Sequence, residues 1–104
     1  MEKVAFKMQL HQEQVQEYQR RHNEIWPELV ALLKNTGVTD YSIFLDPSTN
    51  ALFAVLKIKT PALLDELSKH PTIQKWWKYM SDIMETNPDN SPLTTTLKEV
   101  FYLP

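Results

Sequence analysis

The chain has 104 residues, of which 42% are hydrophobic and 23% charged, and its net charge at pH 7 is −2. This length and composition predict one globular domain spanning residues 1–104. The near-neutral charge and the lack of a basic run argue against a nucleic-acid partner. Disulfides, thiolate nucleophiles and cysteine-based zinc sites are excluded because there is no cysteine. A glycine-rich phosphate loop is excluded because Gly37 is the only glycine.

The N-terminal segment is the first predicted strand. Residues 3–10 alternate, so that Val4, Phe6, Met8 and Leu10 fall on one face. The charged start "MEK" and this alternation are unlike a signal peptide or a membrane span. We therefore expect a cytoplasmic protein without membrane contact.

Residues 12–35 change to a helical period, and their apolar stripe includes Tyr18 and His22. Gly37 in "NTGV" is typical of the left-handed residue that ends a helix. Pro27 lies inside this pattern and removes one backbone hydrogen bond, which predicts a bend beside His22.

The next two segments, "TDYSIFLD" and "ALFAVLKIK", have the features of strands and are separated by the turn-rich "DPSTN". They predict a hairpin. In its first strand, Tyr41, Ile43 and Leu45 lie on one face, while Ser42 and Phe44 lie on the other.

The last third of the chain predicts two helical pieces and a final extended segment. "TPALLDELSKH" begins a helix with Thr60 as N-cap and Pro61 at the first position. Pro71 interrupts this helix, and "TIQKWWKYMSDIM" continues it. "ETNPDNSP" is a polar loop, and "LKEVFYLP" is either a closing strand or an extended arm.

The order βαββαβ predicts an α+β fold of the ferredoxin-like type. In such a fold the helices cover one face of the sheet. The opposite face carries Phe53 and Val55 or their alternates, which are too apolar to remain in water. We therefore expect a symmetric homodimer in which two copies cover these faces.

His22 is the first candidate for chemistry. A lone histidine on an apolar face is most often a core residue that bonds to a backbone carbonyl. The alternative is a general acid or base, since imidazole exchanges protons near neutral pH. Tyr18 lies one helical turn away on the same face.

Aromatic residues elsewhere also allow two interpretations. Trp76 and Trp77 point about 100° apart on a helix, so one can fill the core while the other lies at the surface or at a dimer contact. Alternatively, they form the wall of a sugar pocket. Tyr41 is either a core tyrosine with a satisfied hydroxyl or a donor in the same pocket.

The loop "NPDNSP" supplies Asn87, Asp89 and Asn90, which either build turns, the commoner role, or line a pocket. The three histidines have no metal-ligand spacing, and no Gly-x-Ser-x-Gly motif occurs. We expect no metal and no cofactor, and the chemistry that fits is proton transfer.

Four segments, "EYQRRHNEIWPEL", "WWKYM", "NPDNSP" and "EVFYLP", together resemble the L-rhamnose mutarotase family over nearly the whole chain. The resemblance implies a homodimer, a dimeric α+β barrel of ferredoxin-like subunits, and an isomerase that interconverts the α and β anomers of L-rhamnose. It implies His22 as the catalytic proton donor and Tyr18, Tyr41, Trp76 and Trp77 as sugar-binding residues.

In this chemistry His22 is the acid to the ring oxygen, and Tyr18, Tyr41 or a held water is the base. Two alternatives share the architecture. One is a cofactor-free monooxygenase, which would favour an almost wholly apolar cavity, and the other is a non-catalytic sugar-binding module.

Overall fold

The computed structural model describes all residues, 1–104. Its elements, in chain order, are β1 (Glu2–Gln9), α1 (Val15–Asn23), α2 (Pro27–Thr36), β2 (Thr39–Asp46), β3 (Ala51–Ile58), α3 (Ala62–Ser68), α4 (Pro71–Met80) and β4 (Thr95–Thr96). Each predicted helical region is therefore a pair of short helices. The predicted alternation of strands and helical regions is confirmed.

The four strands form one antiparallel sheet in the order β2-β3-β1-β4. The central strands β1 and β3 pair along their whole length, from Glu2 opposite Ile58 to Gln9 opposite Ala51. β2 and β3 form the predicted hairpin across the turn at residues 47–50. This order, with helical crossovers on one face, is the ferredoxin-like arrangement, so the predicted fold class is confirmed.

The first helical region is broken, and the prediction of one bent helix over residues 12–35 is wrong. α1 begins at Val15 and ends at Asn23, and Pro27 is the first residue of α2. Trp26 has extended backbone angles, φ −63° and ψ 131°. A residue before proline is driven out of the helical region by the proline ring, so Pro27 starts a new helix.

The second helical region follows the prediction more closely. α3 begins at Ala62, with Pro61 rather than Thr60 at the cap position, a shift of one residue. Pro71 starts α4, and the imidazole of His70 accepts a hydrogen bond from the backbone N–H of Thr72. α4 ends at Met80, and turns follow it.

The C-terminal segment has the form of an extended arm. β4 is only Thr95–Thr96, opposite Phe6 and Lys7 of β1. Residues 97–104 have no regular secondary structure, so of the two predicted forms the arm is correct and the strand over "LKEVFYLP" is wrong. The N–H of Leu97 still bonds to the carbonyl of Ala5 at 2.9 Å, which keeps the start of the arm beside β1.

The two faces of the sheet differ in burial. The helix-covered face holds the core, in which Leu29, Leu52 and Ile58 are among the most deeply buried side chains. On the open face Phe44 is 62% exposed and lies opposite the half-buried Phe53. No helix is long and apolar enough to cross a membrane.

Candidate active site

A cavity of about 610 Å³ lies between the sheet and the helices, within the range of roughly 300–1,000 Å³ that small-molecule sites occupy. Its walls are contributed by β1, β2, β3, α1, α2, α4 and the loop before β4. Most lining residues are apolar; the others are Tyr18, Gln19, His22, Asn23, Tyr41, Trp76, Trp77 and Asn90. The five site residues predicted from the sequence therefore meet in one place.

His22 is held by its own helix. Its Nδ1 lies 3.0 Å from the carbonyl oxygen of Tyr18, one turn earlier in α1. A carbonyl oxygen can only accept, so this hydrogen bond requires the proton on Nδ1. In the neutral imidazole the free lone pair is then on Nε2.

The Nε2 atom of His22 is open to the cavity. It has no hydrogen-bond partner in the chain, whereas every fully buried side-chain nitrogen or oxygen of a non-exposed residue has one. The ring lies 4.3 Å from that of Tyr18 and 5.4 Å from that of Trp76, measured between centroids. These surroundings bury the imidazole and lower its pKa, although the bond to the Tyr18 carbonyl opposes the shift.

Tyr18 and Tyr41 bring two phenol groups to the cavity from α1 and β2. Burial raises the pKa of Tyr18, and the nearby Tyr41 raises it further. Tyr41 retains 40% exposure, but the protein around its hydroxyl desolvates it and raises its pKa to about 12. Both phenols are therefore protonated near neutral pH and are hydrogen-bond donors.

The two tryptophans of α4 have different environments although both line the cavity. Trp76 is 6% exposed and packs edge-on against His22 and Trp26. Trp77 is half-buried. Of the two predicted arrangements, one core and one partly exposed tryptophan is therefore correct, and it coexists with a cavity wall built from both.

A buried arginine connects the helix of His22 to the helix of the tryptophans. Arg21 is 8% exposed and donates to Asp82 at 2.8 and 3.2 Å. It also donates to the backbone carbonyl of Tyr79 at 2.7 Å and to Glu17 at 2.6 Å. These bonds hold α1 against the C-terminal end of α4.

The polar loop performs both of its predicted roles. Asn87 and Asp89 bond to Ser91 and shape the turn, as the commoner interpretation predicts. Asn90 instead lines the cavity, and its amide has no partner within the chain.

Charged side chains are absent from the cavity wall, which contains no Asp, Glu, Lys or Arg. His22 is therefore the only lining group whose ordinary pKa lies near neutral pH. Sequence reasoning missed Gln19 and Asn23, which line the cavity and are exposed. Helical spacing could have paired them, because Gln19 and Asn23 are four residues apart and lie one turn from each other on the same side of α1.

Comparisons with known proteins agree on one family. A sequence model described as L-rhamnose mutarotase matches residues 3–103. An L-rhamnose mutarotase from Acidiphilium cryptum is 54% identical over 104 residues, and the alignment covers 100% of this chain and 100% of the relative. One from Rhizobium johnstonii is 55% identical over 104 residues, covering 100% of this chain and 98% of the relative.

Solved structures support the same assignment. The crystal structure of L-rhamnose mutarotase from Formosa agariphila is 48% identical, with a TM-score of 0.92 and complete coverage of both chains. An antibiotic biosynthesis monooxygenase is 13% identical with a TM-score of 0.60, covering 94% of this chain and 97% of its own, and this likeness shows the fold alone. The chain belongs to the L-rhamnose mutarotase family.

Proposed function

We propose that the chain is an isomerase that interconverts the α and β anomers of L-rhamnose in the cavity, with His22 as the catalytic residue. The assignment of His22 rests on its unpaired Nε2, which is open to the cavity. No other residue that lines the cavity has a side chain that can act as a base near neutral pH. The family membership supplies the substrate.

The reaction needs one proton to move between two oxygens on the same carbon. Removing the proton from the O1 hydroxyl breaks the C1–O5 bond, and protonation of O5 leaves the open-chain aldehyde. Rotation about C1–C2 and the reverse proton transfer then close the ring with the other anomeric configuration. Neutral His22 accepts the O1 proton at Nε2 and, as imidazolium, donates it to O5. In this proposal His22 is both base and proton donor, which replaces the separate base, Tyr18, Tyr41 or a held water, expected from the sequence.

The aromatic residues bind the sugar in this proposal. Tyr18 and Tyr41 remain protonated, so their hydroxyls donate to sugar oxygens. Trp76 and Trp77 supply apolar ring surface for the C–H groups of the pyranose and for its C6 methyl. The cavity supplies three kinds of group that a deoxysugar needs: donors, a base and apolar surface.

The same cavity distinguishes this function from its two alternatives. A cofactor-free monooxygenase for aromatic substrates would favour an almost wholly apolar cavity, whereas this one places an imidazole, two phenols and three amides in its wall. A non-catalytic sugar-binding module has no need of a free imidazole nitrogen. The polar lining and the free nitrogen of His22 therefore favour the isomerase over both alternatives.

The proposal includes a symmetric homodimer. Phe44 and Phe53 form an apolar pair on the open face of the sheet, and Phe44 is 62% exposed. The arm adds Val100 and Phe101, which are 91% and 78% exposed in the single chain. A second copy that covers these side chains would remove them from water. The cytoplasmic location expected from the sequence stays a prediction.

The test is the variant His22→Asn. Asparagine places an amide nitrogen close to the position of Nδ1, which can keep the bond to the Tyr18 carbonyl while Nε2 is removed. We expect anomer exchange of L-rhamnose, measured by saturation-transfer NMR, to fall by about 10²–10⁴-fold with the fold intact.

The matched control is His70→Asn, which changes a histidine outside the cavity and keeps a side chain able to cap α4. It should exchange anomers at the parent rate. Equal rates for His22→Asn and the parent protein would exclude His22 as the catalytic residue. Absence of exchange in the parent protein would reject the proposed activity.

A further inference from the structure

The loop of residues 87–92 presents one unpaired side chain to the cavity. Four residues of this loop have polar side chains: Asn87, Asp89, Asn90 and Ser91. The amide of Asn87 donates to the Ser91 hydroxyl at 3.0 Å and to the Pro92 carbonyl at 3.3 Å. Asp89 accepts from the backbone N–H and from the hydroxyl of Ser91. Only the amide of Asn90 has no partner within the chain.

The backbone of the loop fixes the position of Asn90. The backbone N–H of Asn90 donates a hydrogen bond to the Asn87 carbonyl at 2.9 Å, and the N–H of Asn87 donates to the Ser91 carbonyl at 2.8 Å. Asn90 has φ +72°, a left-handed conformation that most side chains avoid and asparagine tolerates. The tight turn therefore depends on the other polar residues, while Asn90 occupies its strained position and faces the cavity.

Asn90 differs from the other amides of the site. Gln19 and Asn23 lie on α1 and are exposed, whereas Asn90 is half-buried and comes from a loop that follows α4. No fully buried side-chain nitrogen or oxygen of a non-exposed residue is unpaired, so the free amide of Asn90 is not fully buried, and the residue lines the cavity. An amide offers both a donor and an acceptor, which suits a hydroxyl in either role.

We propose that Asn90 is a substrate-binding residue that recognises a ring hydroxyl of the pyranose, away from the O1 and O5 atoms that exchange the proton. The inference rests on the proposed function and extends it, because His22 acts at the anomeric carbon whereas Asn90 binds a hydroxyl elsewhere on the ring. It assigns the polar loop a part in selecting among sugars that differ in their hydroxyl groups.

Asn90→Gly tests this role. Glycine accepts the positive φ, so the change removes the amide with little backbone strain. Loss of one hydrogen bond to bound sugar should lower kcat/KM for L-rhamnose by about tenfold. The loss should appear mainly in KM, because the contact is present in both ground and transition states.

The matched control is Asn50→Gly. Asn50 also has a positive φ, +61°, and lies in the β2–β3 turn outside the wall of the cavity. Its variant should keep the parent KM. Equal kcat/KM for Asn90→Gly and Asn50→Gly, in a parent protein that exchanges anomers, would overturn the role of Asn90 without touching the proposed activity.

Deoxy sugars separate recognition from a structural effect. L-rhamnose analogues lacking the hydroxyl at C2, C3 or C4 are compared in the parent protein and in Asn90→Gly. For one analogue, kcat/KM should be the same in Asn90→Gly as in the parent protein, because the hydroxyl that this analogue lacks is the partner of the amide. An equal additional loss for all three analogues would overturn the inference. The change in tryptophan fluorescence on adding sugar gives the affinity independently, because two of the three tryptophans, Trp76 and Trp77, line the cavity.

Discussion

A hydrogen bond to the residue one helical turn earlier in α1 determines which ring nitrogen of His22 carries the proton. Nδ1 bonds to the Tyr18 carbonyl at 3.0 Å, and this leaves Nε2 as the atom that faces the cavity. Burial among aromatic rings lowers the pKa of the imidazole, so the neutral base is the resting form near pH 7. In the proposed mechanism His22 therefore acts first as base and then as acid.

This order predicts the pH dependence of exchange. Imidazolium has no free lone pair, so kcat/KM should fall as the pH drops through the pKa of His22, which lies below the ordinary 6.5. Above that pKa the rate should remain level, since the pKa of Tyr41 is raised to about 12. Exchange is measured by NMR across the range, after subtraction of the rate without protein.

The folded fraction of the protein has to be measured at the same pH values as anomer exchange. Because the folded state lowers the pKa of His22, the unfolded chain binds a proton more readily. The contribution of neutral His22 to the free energy of unfolding is therefore fully present above the pKa that His22 has in the unfolded chain. It is lost as the pH falls through the pKa of His22 in the folded protein. Circular dichroism at each pH separates unfolding from loss of catalysis. A rate that increases on the acid side would contradict the base-first order.

At the scale of elements, the site depends on how α1 sits against α4. α1 carries Tyr18 and His22, and α4 carries the two tryptophans. Arg21 joins them by bonding to Asp82 and to the carbonyl of Tyr79. Its guanidinium also lies 4.5 Å from the centre of the Tyr79 ring, which stacks on Trp26. The break before Pro27 allows α1 and α2 to follow separate directions around the cavity.

Arg21→Ala should destabilise the protein and reduce exchange. Removal of charged hydrogen bonds from a buried arginine is expected to lower the free energy of unfolding by about 1.5–3 kcal/mol. The pairing of α1 with α4 is loosened by the same change, so kcat/KM should fall as well. Urea unfolding and anomer exchange measure the two effects.

The control is the adjacent Arg20→Ala. Arg20 bonds to Glu17 and Glu24, but its side chain is 53% exposed. Such surface pairs contribute about 0–1 kcal/mol, so both readouts should stay close to the parent values. Parent values of stability and exchange for Arg21→Ala would show that the connection between α1 and α4 is unimportant.

At the scale of the whole molecule, the ferredoxin-like sheet has helices on one face only. The open face keeps Phe44 and Phe53 together, and the arm runs from β4 beside the edge of β1. Lys3 lies 4.5 Å above the ring of Tyr102, yet Phe101 and Leu103 are each 78% exposed. The single chain therefore presents two exposed apolar features that a second copy can cover.

Phe44→Glu should convert the proposed dimer into monomers. In an isolated chain this exposed position would accept a glutamate, but in a sheet-to-sheet dimer the carboxylate would be buried without a partner. Sedimentation should give twice the 12.2 kDa chain mass for the parent and 12.2 kDa for the variant. Ala31→Glu, on the exposed side of α2, is the control and should remain dimeric.

A monomeric parent protein would contradict the dimer while leaving the site in the single chain unchanged. A dimeric Phe44→Glu variant would exclude this face as the interface.

Most of the fold could be predicted because hydrophobic period is a local property. Alternation indicated β1, β2 and β3 within one or two residues, and the prolines at 61 and 71 indicated helix starts. Pairing is not local, which explains the misplaced last strand: Thr95–Thr96 is strand only because β1 lies opposite. The break at Trp26 depends on a local rule, the restriction of the residue before proline, that the helical stripe concealed.

The sequence by itself determined the order of strands and helical regions and the one-turn spacing of Tyr18 and His22. Those features follow from residue types and short-range spacing. Only the tertiary structure decided that Tyr41, Trp76 and Asn90, from a strand, a helix and a loop, face the same cavity as His22. It also decided which asparagine of the loop builds the turn and which remains free, because hydrogen-bond partners depend on the folded path of the chain.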